Sequence, residues 1–269
     1  MFSEKLLAVR RAAPIVHNIT NYVTANDCAN ILLAVGASPI MTDALSEVRD
    51  IARLSAGLVL NIGTMNERRL TAMLAAGEMM NMLGRPIVLD PVGAGASNSR
   101  TETALRLVEA LHPAVIRGNL SEIKALASGS AASRGVDSAL ADADGGDWTL
   151  AADYARRIGV TLVVTGQTDL VTDGQQCFLI HNGHPMMRSV TGAGCMLSAL
   201  TGAFAAANPN RIFAAAAAAV CAMGVCGEIA FIRLGPMDGN ATYRNYIIDA
   251  VYRLTPETLE EAARYELQA

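Results

Sequence analysis

The sequence predicts an α/β fold of the doubly wound type, with a mostly parallel central sheet, helices on both faces and a helical C-terminal third. Three observations carry that prediction. Short apolar runs alternate with helical patterns over the first two-thirds of the chain, which is the signature of parallel strands joined by right-handed helical crossovers. A single hairpin signal then interrupts the alternation, and the remainder of the chain is almost entirely helical in pattern. Apolar residues make up 52% of the 269 and charged residues 17%, enough to fill a large core and too few charges for disorder.

In chain order, Ser38–Met41, Gly57–Ile62, Pro86–Asp90, Ala114–Arg117 and Val160–Thr165 read as strands buried on both faces. Helices are predicted between them. Thr24, Ser46 and Thr101 stand as start signals, and Gly36, Gly84 and Gly159 as stops. Thr168–Thr172 and Gln175–His181 flank Asp173-Gly174, a hairpin turn. The polar stretch Ser128–Asp147 reads as a surface excursion rather than a boundary, so residues 1–269 are expected to form one domain. From Gly194 onward the pattern is helical. Its most apolar part, Phe213–Gly227, is mostly alanine and ends at Glu228; it reads as a buried core helix too short to span a bilayer. In open sheets of this kind ligands bind at the carboxyl ends of the strands.

Composition narrows the function. A net charge of −4 gives no footprint for a nucleic-acid partner. Lysine occurs only at Lys5 and Lys124, so bound phosphates would be held by backbone N–H groups and arginine. Five cysteines without a CxxC pair, and without a signal peptide ahead of them, read as reduced thiols of a cytoplasmic protein. His181 and His184 flank Asn182-Gly183 in a predicted turn, a poor zinc spacing, and no HExxH occurs. No GxxxxGK[ST] is present, and no GxGxxG follows a first strand, so P-loop and nicotinamide-binding readings fall away.

Several segments at predicted strand ends can carry chemistry. Gly192-Ala193-Gly194-Cys195 opens a long helix. Successive small residues there can turn their N–H groups into one concavity at the positive end of the helix dipole, although the same residues also suit a plain tight turn. Cys195 lies in the first helical turn, where a thiol can be activated or can simply fill space. Asp90 ends a strand beside Pro91-Val92-Gly93-Ala94-Gly95 and is a candidate Mg²⁺ ligand, or an Asx-turn residue. Asn119 and Glu122 stand at capping-box spacing, and Glu122 could also hold a metal through water while Arg117 faces phosphate. His17-Asn18-Ile19-Thr20-Asn21-Tyr22 is a polar cluster able to bind a small polar ligand through Asn21, or else a loop leading into the next helix.

Taken together, Val16–Thr24, Gly36–Met41, Asp90–Gly95, Arg117–Glu122 and Val190–Cys195 resemble the hydroxyethylthiazole kinase family of the ribokinase-like superfamily, in order and over nearly the whole chain. The resemblance implies transfer of the γ-phosphoryl of ATP to the hydroxyl of 4-methyl-5-(2-hydroxyethyl)thiazole, with Mg²⁺, in thiamin salvage. It implies that Met41 and Gly192 contact the thiazole and that Arg117 and Thr165 contact the nucleotide. It further implies a homotrimer with sites at subunit boundaries. Amides of Gly192, Ala193, Gly194 and Cys195 would stabilise the transferring group, with Asp90 and Glu122 organising the metal. Many sugar kinases of the superfamily carry Asp where Cys195 stands. A neutral thiol is a poor base, so Cys195 is expected to position the hydroxyl rather than deprotonate it. The rival expectations are a hydroxymethylpyrimidine or pyridoxal kinase, a non-catalytic nucleotide or vitamin sensor, and an NAD(P)-repair dehydratase of related fold.

Overall fold

The computed structural model describes residues 1–129 and 146–268. Its strands are β1 (Ile15–Ile19), β2 (Ser38–Met41), β3 (Gly57–Asn61), β4 (Ile87–Asp90), β5 (Val115–Asn119), β6 (Thr161–Thr165), β7 (Asp169–Thr172), β8 (Cys177–Ile180) and β9 (Tyr265–Gln268). They form one sheet in the order β2-β1-β3-β4-β5-β6-β7-β8-β9. From β2 to β6 every pairing is parallel, and from β6 to β9 every pairing is antiparallel. The α/β class with a mostly parallel sheet is therefore what the chain adopts.

Helices cover both faces. On one side α1 (Phe2–Ala12), α2 (Ala25–Val35), α8 (Ala193–Ala207), α9 (Ile212–Ile232) and α10 (Asn240–Arg253) bury their apolar residues against Val16, Val59, Val88, Val115 and Val163. On the other side α3 (Val48–Leu54), α4 (Glu67–Met82), α5 (Asn98–Leu111), α6 (Leu120–Ser128) and α7 (Gly146–Ile158) pack against Leu58, Leu60, Leu89, Ile116 and Leu162. Alternate residues of one strand serve opposite cores, which is why these strands are continuously apolar. Helix α11 (Pro256–Ala262) leads into β9. Four rings, Phe2, Phe178, Phe213 and Tyr265, cluster with centroid separations of 4.7–5.5 Å and tie the two chain ends to β8.

Helix α8 comes unusually close to the sheet. A Cβ on Gly202 would overlap Val59 Cγ2, and one on Gly57 would lie 2.9 Å from Ala206 Cβ. Small residues on both sides thus let the helix backbone lie almost on β3. That approach brings the start of α8 down to the carboxyl ends of β3 and β4.

The structure corrects several expectations. His17, Asn18 and Ile19 belong to β1 and are not part of a loop. The helix after β4 starts at Asn98 with Ser97 as its cap, because Ser97 accepts the Arg100 N–H; Thr101 lies inside it. Glu47 rather than Ser46 occupies the cap position of α3. The apolar C-terminal helix is 21 residues long, not the shorter stretch read from its alanines, and its length and composition would allow it to cross a membrane. It is mostly buried, however, packed between the sheet and helices α8 and α10. The C-terminal strand β9 was hidden by the helical pattern around it. The expected excursion Ser128–Asp147 lies largely outside the described residues.

Candidate active site

The parallel registers align Asn18 with Met41, Asn61 with Asp90, and Asn119 with Thr165 at the carboxyl edge of the sheet. The N-terminus of α8 descends onto this edge. Gly192 caps the helix in the left-handed region (φ 88°), and a Cβ there would come within 2.6 Å of Thr24 Cγ2. At Gly194 a Cβ would lie 2.5 Å from Arg117 Nη1, so the Arg117 guanidinium rests directly on the glycine loop. Arg117 Nη2 donates to Thr165 Oγ1 at 2.8 Å, and its Nη1 lies 3.7 Å from Asp90 Oδ2. Among the described residues its buried Nε–H has no partner, which leaves a cationic donor beside the helix N-terminus.

Asp90 is completely buried. Its Oδ2 accepts from Ser198 Oγ at 2.7 Å and from Asn61 Nδ2 at 2.8 Å, while its Oδ1 has no partner among the described residues. Burial pushes its carboxyl up, against the opposing pull of Arg117, Ser198 and Asn61. Asp90 is therefore no simple turn residue.

Glu122 forms the predicted capping box with Asn119: its Oε2 accepts the Asn119 N–H at 2.8 Å, and Asn119 Oδ1 accepts the Glu122 N–H. It also does something that the spacing could not show. Its Oε1 accepts the Gly93 N–H at 2.8 Å, so the carboxylate ties the loop after β4 to the start of α6. Burial, then the nearby Asp90 charge, raise its pKa.

Cys195 sits in the first turn of α8 and receives two N–H donors, Asn21 Nδ2 at 3.2 Å and Asn61 Nδ2 at 3.3 Å. Burial and then Asp90 push its thiol up, so it stays protonated. Asn21 is held in turn by Thr24, whose N–H and Oγ1–H both donate to its Oδ1 at 3.1 Å. Met41 and Cys195 pack half-buried against the same apolar cluster. Beside Met41, His17 Nε2 lies 3.0 Å from Thr42 O, and burial lowers the pKa of this ring.

The structure thus brings Cys195, Asn21 and Asp90 into one hydrogen-bonded array, and Arg117, Thr165 and Gly194 into a second that touches the first at Asp90. Sequence reading missed two residues of these arrays, Asn61 and Ser198, and one that braces the loops beside them, Arg100. Asn61 is a lone amide at the end of an apolar strand. Ser198 follows Cys195 by three residues, which places it near the same helix face. Arg100 donates to the carbonyls of Ile62, Gly63 and Val92 and so clamps the loops after β3 and β4 together.

The family model for the hydroxyethylthiazole kinase family matches residues 6–257. The chain belongs to the hydroxyethylthiazole kinase family. It is 49% identical over 271 residues to a hydroxyethylthiazole kinase of Clostridium acetobutylicum, covering 99% of each chain. It is 46% identical to one of Methanocella arvoryzae, covering 94% of this chain and 92% of the relative. Among solved structures, the hydroxyethylthiazole kinase protein from Pyrococcus horikoshii superposes with a TM-score of 0.88 at 36% identity, covering 100% of this chain and 99% of the other. Pyridoxal kinase from Staphylococcus aureus, at 15% identity and a TM-score of 0.61 over 94% and 97% of the two chains, shares the fold. The ribokinase-like fold and the kinase class are accordingly those of this protein.

Proposed function

We propose that this chain transfers the γ-phosphoryl of ATP to the hydroxyl of 4-methyl-5-(2-hydroxyethyl)thiazole. The observation that carries this reading is the meeting of two arrays at one helix N-terminus, an anion cradle (Arg117, Thr165, Gly192–Gly194) and a polar, partly buried pocket (Asn21, Cys195). The ATP phosphates lie against Arg117 and Thr165, where the unpaired Arg117 Nε–H and the amides of residues 192–195 meet the charge of the transferring group. The thiazole lies between Met41 and Asn21, with its hydroxyethyl arm at Cys195. The hydroxyl oxygen forms the new bond to phosphorus as the bond to the β-phosphate oxygen breaks. Since the thiol is protonated and its environment holds it so, Cys195 orients this hydroxyl, in keeping with a loose transition state that needs no early deprotonation.

Mg²⁺ fits the residues present. Asp90 Oδ1 is a buried carboxylate oxygen without a partner among the described residues, and Glu122 retains acceptor capacity on both oxygens beyond the backbone N–H groups it binds. Among the described residues no three His, Cys, Asp or Glu side chains gather into a metal cage. Two carboxylates and retained water suit Mg²⁺, which would neutralise charge on the phosphates. Asp90 would hold the ion and Glu122 would hold its water.

The further expectations of a cytoplasmic homotrimer with sites at subunit boundaries belong to the same reading. Exposed Tyr22, Val23 and Leu45, on the loops beside the pocket, are apolar surface that a neighbouring copy would cover. Light scattering at micromolar concentration measures this; a monomeric mass with full activity would remove it. For the activity, ADP release is followed with the thiazole alcohol, hydroxymethylpyrimidine and pyridoxal. Turnover selective for the thiazole is expected, and selectivity for either of the others would replace the substrate named here. ATP binding without turnover on any of the alcohols would make the protein a sensor instead.

A further inference from the structure

Asn61 ends β3 at 1% exposure, and its amide makes four hydrogen bonds that between them use every donor and acceptor it has. Oδ1 accepts from the Gly63 N–H at 2.9 Å and from Asn21 Nδ2 at 3.1 Å. Nδ2 donates to Asp90 Oδ2 at 2.8 Å and to Cys195 Sγ at 3.3 Å. The orientation of this amide is set by its backbone partner. A backbone N–H can only donate, so the oxygen must face Gly63, and the nitrogen at the other end then faces Asp90 and Cys195. Asn21 is oriented by the same logic, because the Thr24 N–H fixes its Oδ1 and leaves Nδ2 for Asn61 and Cys195.

Two N–H donors therefore converge on one sulfur. A neutral thiol has two lone pairs and one hydrogen; both lone pairs are engaged by these donors, and the hydrogen is left for the acceptors beside the sulfur, the Thr24 hydroxyl, whose own proton goes to Asn21 Oδ1, and the substrate hydroxyl. We propose that Asn61 is a positioning residue for phosphoryl transfer, acting with Asn21 to turn the Cys195 S–H outward, so that the thiol meets the substrate hydroxyl as a donor and never as the acceptor of its proton. This rests on the kinase reading above and deepens it. The S–H donates to one lone pair of the hydroxyl oxygen and leaves another free to attack phosphorus. As the O–P bond forms and the bond to the leaving β-phosphate oxygen breaks, the hydroxyl proton departs on an oxygen of the transferred phosphoryl group and then passes to water. Sulfur gains and loses no proton in the step.

A double-mutant cycle separates this role from a purely structural one. Asn61→Ala, Cys195→Ala and the double variant are assayed with ATP and the thiazole alcohol, alongside their melting temperatures. Asn61→Ala is expected to lower kcat about tenfold, with the KM for ATP within about twofold, and in the Cys195→Ala background the same change is expected to cost less than about threefold. Losses that simply multiply, or a raised KM for ATP with kcat intact, would overturn the proposal. If Asn61→Ala does not fold, Asn61→Ser is used in its place. Its one hydroxyl proton can serve Asp90 or the sulfur but not both, so the same shrinkage in the Cys195→Ala background is expected, and equal losses in both backgrounds would overturn the role. Infrared spectroscopy gives a readout that needs no turnover. The S–H stretch of Cys195, assigned as the band missing from Cys195→Ser, should shift in the Asn61 variant. An unshifted band would sink the assignment of Asn61 even in an active kinase, whereas a shifted band with no turnover of the thiazole alcohol would sink the kinase reading alone.

Discussion

Replacing Glu122 with Gln keeps the size and the N3 position of the capping box, and by spacing alone it should be almost neutral for folding. The structure predicts otherwise. Each carboxylate oxygen accepts a different backbone N–H, from Gly93 and from Asn119, both at 2.8 Å. Glutamine has one carbonyl oxygen, so its NH₂ must face one of these donors. An unsatisfied buried N–H costs roughly 1–3 kcal/mol, and the surviving bond loses its charge assistance, about 1 kcal/mol more. Relief of carboxylate burial, the first cause of the raised Glu122 pKa, offsets part of this. A net loss of about 2 kcal/mol lowers the melting temperature by roughly 3–4 °C for a chain of this size. Circular dichroism melts measure that directly, and a Mg²⁺ titration of activity in the same variant reports the metal role. A melting temperature within a degree of the parent would refute the bridging of two loops by Glu122. An unchanged Mg²⁺ requirement would refute its part in holding the ion.

Other perturbations test the surroundings of the site. Gly194→Ala puts a methyl group where Arg117 now lies; the guanidinium must leave Thr165, and the KM for ATP should rise about tenfold or more while the thiazole KM changes little. Burial raises the Asp169 carboxyl from 3.8 to about 6, so between those values the folded state binds the extra proton and stability falls as pH rises, levelling off above about 6. Asp169→Asn removes that slope, and it should melt higher than the parent at pH 7 and nearer to it at pH 4; a variant melting lower at pH 7 would contradict the sign. Cys195→Ala should reduce kcat without abolishing it, while Cys195→Asp, whose carboxylate can accept both the Asn21 and Asn61 N–H groups, should remain active. Complete loss of turnover in folded Cys195→Ala would exclude a positioning role for the thiol.

Much of the fold was legible because the strands of a doubly covered parallel sheet are short, apolar and punctuated by helix stops, as with Gly36 after α2 and Gly159 after α7. The features that escaped notice did so for physical reasons. Strand β9 gains its identity from pairing with β8, a long-range contact that local pattern does not contain. Polar His17 and Asn18 disguised the end of β1, because a buried strand end at a ligand edge departs from the apolar rule. The motif residues Asp90, Arg117, Glu122 and Cys195 could be named from strand-end position and loop chemistry, but their connections could not. Asn61 joins Asp90 to Cys195 only because β3 lies beside β4 in the sheet and α8 settles on both. Glu122 read as a cap, and it is one; its second oxygen reaches Gly93 across a gap in sequence that spacing does not bridge.

The most direct test of the central claim is coupled ADP release from ATP and Mg²⁺ with 4-methyl-5-(2-hydroxyethyl)thiazole as acceptor, run beside hydroxymethylpyrimidine and pyridoxal. The arrangement of Arg117 on the glycine loop, with Cys195 and Asn21 at its mouth, predicts stoichiometric ADP and phosphorylated thiazole, with kcat/KM for the thiazole at least about tenfold above either rival alcohol. Binding of ATP with no phosphorylated thiazole, or a preference for another alcohol, would contradict it.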